Sequence, residues 1–112
     1  MALKIKEGDI QKGILTYLKY KGIFAWRNNT IGVYDQARGR FRTPGFGSIK
    51  GAPDILGSYA GKPLGIEVKA PKGTLSDHQK AFKERALKEG WIYILAREID
   101  DVRSVIDSID RP

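Results

Sequence analysis

The sequence predicts a single α/β domain, and three stretches of the chain support that prediction. Apolar residues recur at helical spacing from about residue 7 to residue 21. Two apolar runs of strand-type composition meet at a glycine turn near Gly61. A second helical stretch begins at Ser76 and leads into the apolar run 91–96. The element order is therefore α-β-β-β-α-β, with room for an extra hairpin strand and for a short final helix in the acid-rich segment 98–109.

The first helix is predicted to end at Gly22, a residue type that commonly follows helix C-termini. Glu7 lies on the same helical stripe as the apolar residue Leu18, whereas Asp9 is about 200° away at 100° per residue. We therefore expect Glu7 to project from the inward side of the first turn, where it would be a third acid of a site. An acid in the first turn also stabilises the helix dipole, and the pattern alone does not decide between these two roles.

Residues 23–26 predict the first strand, and Arg27 stands at its polar end. Two further β-type runs, 30–34 and 40–42, flank a turn at 35–39. Period-two spacing places three arginines of this arm on one face: Arg38, Arg40 and Arg42. Such a row either contacts phosphate groups or protects an exposed edge strand by its charge, and the two roles are compatible.

The segment 44–51 is rich in glycine and precedes Pro53-Asp54. Glycines of this kind let backbone N–H groups approach phosphates, or simply make a flexible connector. The segment lacks the spacing of a P-loop, so nucleotide hydrolysis is not indicated. Its place beside Asp54 makes Ser48 and Lys50 candidates for phosphate contact.

Charged residues stand on the two strands that meet near Gly61, where buried strands normally have none. If the two-residue loop is Ala60-Gly61, Asp54 lies opposite Glu67; if it is Gly61-Lys62, Asp54 lies opposite Lys69. Side chains alternate with period two, so in both registers Asp54, Glu67 and Lys69 share one face. The other face then turns the apolar side chains towards a core: Ile55, Ile66 and Val68.

Two ionised carboxylates side by side on a sheet repel each other and lose hydration, which costs several kcal/mol unless a cation compensates. The chain has no Cys and one His, so its oxygen donors suit Mg²⁺ or Mn²⁺ and argue against zinc. The alternative is structural: Asp54 would be a strand-entry residue, and Glu67 with Lys69 a surface ion pair.

The second helix begins with a capping box, because Gln79 follows Ser76 at the third position. Capping explains both residues without catalysis. A helix start next to the strand that ends at Lys69 would also bring the Gln79 amide near the site. His78 is expected on the surface.

The net charge of +7 is unevenly distributed along the chain. Residues 1–75 carry 13 basic and 5 acidic residues, so 13 − 5 = +8, whereas 76–112 carry 7 and 8, so 7 − 8 = −1. A basic surface around acids of catalytic type points to phosphodiester chemistry, although a generally basic domain would explain the total charge. The absence of Cys excludes disulfides and thiolate catalysis. No apolar run is long enough for a membrane span and no secretion signal is apparent, so we expect an intracellular protein.

The chain resembles the VRR-NUC (virus-type replication-repair nuclease) domain of the PD-(D/E)xK nuclease superfamily. The resemblance rests on Pro53-Asp54 followed, thirteen residues after the Asp, by Glu67-Val68-Lys69. Three further segments are similar to corresponding parts of the VRR-NUC domain: residues 51–54, residues 75–79 and the predicted strand after Gly90. The likeness extends from about residue 7 to residue 96.

This resemblance implies a restriction-endonuclease-like core with a mixed central sheet flanked by helices. It also implies a metal-dependent endonuclease in which Asp54, Glu67 and the main-chain carbonyl of Val68 bind Mg²⁺ or Mn²⁺. Glu7 and Gln79 would support this site, and Lys69 would orient and help deprotonate the attacking water. The DNA contacts would come from basic and polar residues elsewhere: Arg27, Arg38, Arg40, Arg42, Ser48, Lys50 and Lys72.

Free VRR-NUC domains of this size are similar to phage-type Holliday junction resolvases, which act as homodimers. We therefore expect a homodimeric enzyme that cuts four-way DNA junctions, with a phage gene as one source. A flap or restriction-like nuclease and a DNA-binding module without catalysis are the alternatives. The intact set of Asp54, Glu67 and Lys69 weighs against the binding module.

Overall fold

The computed structural model describes residues 6–28 and 49–111, together with the backbone at 34–35 and 40–41. Within these residues the chain forms three helices and six strands. In chain order they are α1 (Glu7–Tyr20), β1 (Phe24–Arg27), β2 (Tyr34–Asp35), β3 (Arg40–Phe41), β4 (Ile55–Tyr59), β5 (Lys62–Val68), α2 (Asp77–Lys88), β6 (Ile92–Ala96) and α3 (Ile99–Asp110).

Four strands form the central sheet in the order β1-β4-β5-β6. Strands β1, β4 and β5 pair antiparallel, and β6 joins β5 in parallel, so the sheet is mixed. Helix α2 makes the crossover between the parallel strands β5 and β6, as a parallel pair requires. The predicted order α-β-β-β-α-β is confirmed by α1, β1, β4, β5, α2 and β6.

The extra hairpin and the final helix are also present. Strands β2 and β3 pair antiparallel with each other in a separate two-stranded sheet, and α3 lies at the end of the chain. Most of the predicted arginine arm lies outside the described residues, including Arg38 and Arg42 and the side chain of Arg40. Ser48 lies outside them as well.

The core fills one face of the central sheet. Ile55, Ile66 and Val68 point into it with 1% exposure or less, as the period-two alternation predicts. Helices α1 and α3 cover this face with the apolar stripes that their 3.6-residue repeats produce. The buried helix residues are Ile10, Ile14 and Leu18 on α1 and Val102 and Ile106 on α3. The charged residues of β4 and β5 are therefore left to the opposite face.

Helix α2 covers part of that opposite face. Its Phe82 ring meets the Trp91 ring edge to face, with centroids 5.5 Å apart. Gly65 of β5 lies beneath this contact, and a Cβ there would be 2.8 Å from Cγ of Pro53 and 3.4 Å from the Trp91 ring. The lack of a side chain at Gly65 lets Pro53 and Trp91 pack directly on the sheet beside the charged residues.

The β4–β5 turn selects one of the two predicted registers. Tyr59 pairs with Lys62 and Ile55 with Ile66, so the loop is Ala60-Gly61 and Asp54 lies opposite Glu67. Both loop residues have positive φ, at 52° for Ala60 and 77° for Gly61. Two central residues with positive φ are typical of the type I′ turn, whose twist matches that of the flanking strands.

No helix in the described part of the chain has both the length and the apolar character needed to cross a bilayer.

Replacing Ala60 by Asn is expected to stabilise the protein. An L-alanine in the left-handed region costs roughly 1 kcal/mol, whereas Asn tolerates that conformation and favours the first position of this turn. We expect Ala60→Asn to raise the free energy of unfolding by about 0.5 to 1 kcal/mol in urea titrations. Gly61→Ala is the matched control and should change it by a similar amount in the opposite direction. Equal stability of the two variants would contradict the assigned turn.

Candidate functional site

Asp54 is held rigidly at the entry to β4. The N–H of Asn28 donates to the carbonyl of Asp54 at 2.7 Å, and Nδ2 of Asn28 donates to the carbonyl of Pro53 at 3.1 Å. Oδ2 of Asp54 accepts the N–H of Val68 at 2.8 Å, which ties the carboxylate to β5. Backbone and side chain are thus both fixed, and Asp54 faces Glu67 across the strand pair.

Glu67 is the single buried charged residue in the described part of the chain, with 2% of its surface exposed. Its Oε1 accepts a hydrogen bond from Nε2 of Gln79 at 3.0 Å and lies 3.7 Å from Nζ of Lys69. Its Oε2 is also buried, but it has no hydrogen-bond partner. One oxygen of this carboxylate is therefore satisfied by the protein, and the other is left available.

The environment of Glu67 disfavours its charged form. Burial first, and then the nearby Asp54 carboxylate, raise the pKa of Glu67, whereas Lys69 lowers it; together these effects shift the pKa from 4.5 to about 8. At neutral pH the carboxyl group is therefore largely protonated when it has no further cation beside it. A carboxylate pair of this kind needs additional positive charge to be fully ionised.

Lys69 follows the last residue of β5, and Glu7 binds the residue after it. The Lys69 N–H donates to the carbonyl of Ala96 at 3.0 Å, which extends the β5–β6 pairing by one residue. Oε1 of Glu7 accepts the next N–H of the chain, that of Ala70, at 3.1 Å. Glu7 thus reaches the site side of α1, as the helical stripe predicts, while Asp9 lines a separate cavity near Pro71 and Arg97.

The contact that Glu7 makes is with the main chain. No cluster of three or more His, Cys, Asp or Glu side chains that could hold a metal occurs in the described residues. In this arrangement Glu7 positions the end of β5 beside Lys69, and two carboxylates, those of Asp54 and Glu67, form the acidic centre. A direct role of Glu7 at a metal stays a prediction.

Gln79 has two functions that its sequence context predicts together. The Oγ of Ser76 accepts the N–H of Gln79 at 3.2 Å, and Oε1 of Gln79 accepts the N–H of Ser76 at 2.8 Å, so the capping box is confirmed. Nε2 of the same Gln79 amide donates to Oε1 of Glu67. Capping fixes the amide orientation, so that its NH₂ group and not its oxygen faces the carboxylate.

Two contacts place the start of α2 next to Glu67. Gly51 has φ of 83°, and a Cβ there would lie 2.2 Å from the carbonyl oxygen of His78. Arg97 donates to the carbonyls of Pro71 at 3.2 Å and Gly73 at 2.7 Å, which holds the loop between β5 and α2. The close approach at Gly51 and the loop held by Arg97 together set the distance between Gln79 and Glu67.

Two residues near the acids were not predicted from the sequence. Asn28 follows the last residue of β1 and has no sequence signal of a site, although it anchors Pro53 and Asp54. Tyr93 is paired with Gly65, two positions from Glu67 on the same face, and its hydroxyl is buried with no hydrogen-bond partner. Burial first, and then the charges of Glu67 and Asp54, raise the pKa of Tyr93 to about 12. Its sequence context, an apolar strand, gave no signal for this position.

The predicted phosphate contacts that the structure describes are all on the surface: Arg27, Lys50 and Lys72. Lys50 borders a cavity of about 700 Å³ beside α2 that also contacts Phe82 and Trp91. His78, which also lines this cavity, is exposed, as expected.

Comparison with known proteins finds its matches among solved structures. Neither a protein-family model nor a curated protein matches the chain. A structure named "VRR_NUC domain protein" is similar with a TM-score of 0.70 and 22% identity, over 96% of this chain and 89% of that one. A structure named "VRR_NUC domain" has a TM-score of 0.63 and 23% identity, over 90% and 94% of the two chains. The chain has the VRR-NUC fold. The PD-(D/E)xK-like architecture predicted from the sequence is thereby confirmed.

The raised pKa of Glu67 predicts a pH dependence of stability in the metal-free protein. The folded state binds the Glu67 proton more tightly than the unfolded state, whose Glu has an ordinary pKa near 4.5. This contribution to stability is fully present below pH 4.5 and is lost as the pH rises through about 8. Glu67→Gln lacks the titrating group, so its melting temperature relative to wild type should rise between pH 5 and pH 8.5.

Thermal unfolding in EDTA, followed by circular dichroism, measures this difference. Glu84→Gln on the exposed side of α2 is the matched control and should show a constant offset from wild type over the same pH range. An offset for Glu67→Gln that does not change with pH would mean that Glu67 titrates normally in the folded protein.

Proposed function

We propose that this protein is a metal-dependent DNA endonuclease. The observation that supports this most is the buried Glu67, placed beside Asp54 with one oxygen unpartnered, in the more basic part of a chain with the VRR-NUC fold. A buried acid beside a second carboxylate is costly for stability, and a site for a cation accounts for this arrangement better than a structural role does. The names of the similar structures favour nuclease activity.

The residues fit a hard divalent cation such as Mg²⁺ or Mn²⁺. Asp54 and Glu67 offer carboxylate oxygens, and Val68, which lies between Glu67 and Lys69, would add its main-chain carbonyl. Mg²⁺ commonly binds to one or two carboxylates and keeps several waters, so a third acidic side chain is not required. When bound, such an ion stabilises the charge that develops on the phosphate and makes water a better nucleophile.

The side chains around the acids have separate roles in this proposal. Lys69 lies close enough to Glu67 to orient a water on the same face, and its ammonium group offsets the negative charge of the pair. Gln79 holds Oε1 of Glu67, which leaves Oε2 for the cation. Glu7 fixes the backbone next to Lys69 and so limits where the ammonium group can lie.

The substrate in this proposal is branched DNA, and the active form is a homodimer. A basic surface attracts the phosphate backbone without regard to sequence. Cutting two strands of a symmetric four-way junction needs two sites in a fixed two-fold relation, and one chain of 12.5 kDa offers one acidic centre. The similarity of free VRR-NUC domains of this size to Holliday junction resolvases supports a four-way junction as the substrate, in preference to a flap.

Substituting the acids is expected to remove cleavage while preserving DNA binding. Asp54→Asn and Glu67→Gln each delete a cation ligand and leave the basic surface unchanged. With Mg²⁺ and a panel of duplex, flap, fork and four-way DNA, wild type should cut the four-way junction best, and both variants should be inactive with junction affinity within about twofold of wild type. Glu84→Gln should cut normally. Wild-type cutting by either variant, or full activity in EDTA, would overturn the proposed site.

Lys69→Met should lower turnover by about 10²-fold or more at saturating DNA and metal. Methionine keeps much of the stem and its packing but lacks the ammonium group. Lys72→Met on the exposed loop is the matched control: it should weaken DNA binding in a salt-dependent manner and leave single-turnover cleavage at saturation unchanged. If Lys69→Met behaves like Lys72→Met, Lys69 is a phosphate contact and the attacking water is activated by another group.

A further inference from the structure

Strand β1 exposes two aromatic side chains next to each other. Phe24 is 70% and Trp26 is 47% exposed, and their ring centroids lie 5.1 Å apart with planes inclined at 56°. Isolated exposed apolar residues are common on protein surfaces, but adjacent aromatic rings form a patch that usually marks an interaction site. Among the described residues, β1 is an edge strand of the central sheet, so the rings lie near the side of the sheet.

The aromatic pair lies on the same face of the sheet as the acids. Phe24 pairs with Ser58 and Trp26 with Leu56, and Asp54 is the next residue of the chain on that face. Asn28, which binds the backbone of Asp54, follows Trp26 by two residues, or about 7 Å at about 3.4 Å per residue. This distance corresponds to roughly two stacked base steps along a strand of DNA.

The charge of the surrounding chain indicates what kind of partner fits. Residues 10–53 contain eight basic residues and one acidic residue. Two of the basic residues are exposed near β1: Lys21 lies three residues before the strand, and Arg27 is its last residue and alternates to the face opposite the rings. Joining two copies of the chain through this patch would bring like charges together, which is unfavourable. A polyanion that carries flat apolar groups can stack on the aromatic rings and pair with the basic side chains.

We propose that Phe24 and Trp26 form a stacking platform for unpaired bases of the DNA strand that lies against the acid pair. The proposal rests on the branched-DNA substrate of the proposed function and adds to it that a base at the branch point leaves the duplex and stacks on the rings. Aromatic rings within a basic groove are the usual means of binding single strands, because every base presents a flat face. Fully paired DNA gives the rings no base to stack on unless the duplex opens.

Binding in EDTA separates stacking from phosphate contact. The probes are a fluorescein-labelled oligothymidylate and an abasic oligonucleotide of the same length and charge, with affinities measured by fluorescence anisotropy. Trp26→Ala should weaken binding to oligothymidylate by about tenfold and leave abasic binding and the salt slope unchanged. Trp26→Phe keeps a ring and should remain within about threefold of wild type.

Tyr20→Ala is the matched control, since Tyr20 is an aromatic residue with 87% exposure at the end of α1, the helix that covers the other face. It should bind both probes like wild type. An equal loss on both probes for Trp26→Ala, or no loss on either, would overturn the stacking platform.

A second measurement uses the two tryptophans of the chain. In a Trp91→Phe background Trp26 is the one remaining tryptophan, and its fluorescence should be quenched by oligothymidylate but not by the abasic probe. Sedimentation of wild type and Trp26→Ala tests whether a second copy of the chain binds to the aromatic patch instead. A dimer that dissociates in the variant would show that the patch joins two copies, which contradicts the proposal.

Failure of the platform can be distinguished from failure of the nuclease. If wild type cuts no DNA in Mg²⁺ while base-dependent quenching is observed, the platform stands and the proposed nuclease is wrong. If wild type cuts branched DNA while Trp26→Ala binds and cuts equally well, the nuclease stands and the platform is wrong.

Discussion

The burial of Glu67 beside Asp54 is the constraint on which the arrangement of the site depends. An acid with 2% exposure is stable only if its oxygens have partners or its proton is retained. Gln79 and Lys69 supply partners for one oxygen, so α2 must begin close to the end of β5. The capping box, the glycine at position 51 and the loop bound by Arg97 all serve that placement.

The opposite face of the sheet makes this placement possible. Ile55, Ile66 and Val68 alternate with the charged residues and are fully packed against α1 and α3, so β4 and β5 cannot slip by one residue without exposing them. The apolar face thus fixes the register, and the register fixes Asp54 opposite Glu67. Packing energy on one side of the sheet is what holds two mutually repelling groups together on the other.

Period-two alternation made the shared face of Asp54, Glu67 and Lys69 predictable, because it does not depend on the register. The register itself depended on the turn, where two loops were compatible with the sequence. The double role of Gln79 was predictable from its capping position. Asn28 and Tyr93 could not be identified in advance, since their contacts join segments distant in sequence. The arginine arm stays a prediction, because most of it lies outside the described residues.

Local and overall charge act on different parts of this molecule. The excess charge of +8 in residues 1–75 includes basic side chains that are exposed among the described residues, such as Lys21, Arg27 and Lys72, and salt screens interactions of exposed charges beyond about 8 Å at physiological ionic strength. It therefore attracts a polyanion but does little for the ionisation of a buried carboxyl group. Lys69, at 3.7 Å from Glu67 and mostly shielded from solvent, acts where screening is weak. Even so, the pKa of Glu67 stays near 8, so one ammonium group does not fully compensate two carboxylates. Full ionisation of the acid pair at neutral pH thus needs more positive charge than the described residues around it provide, which is the physical reason for proposing that a cation binds there.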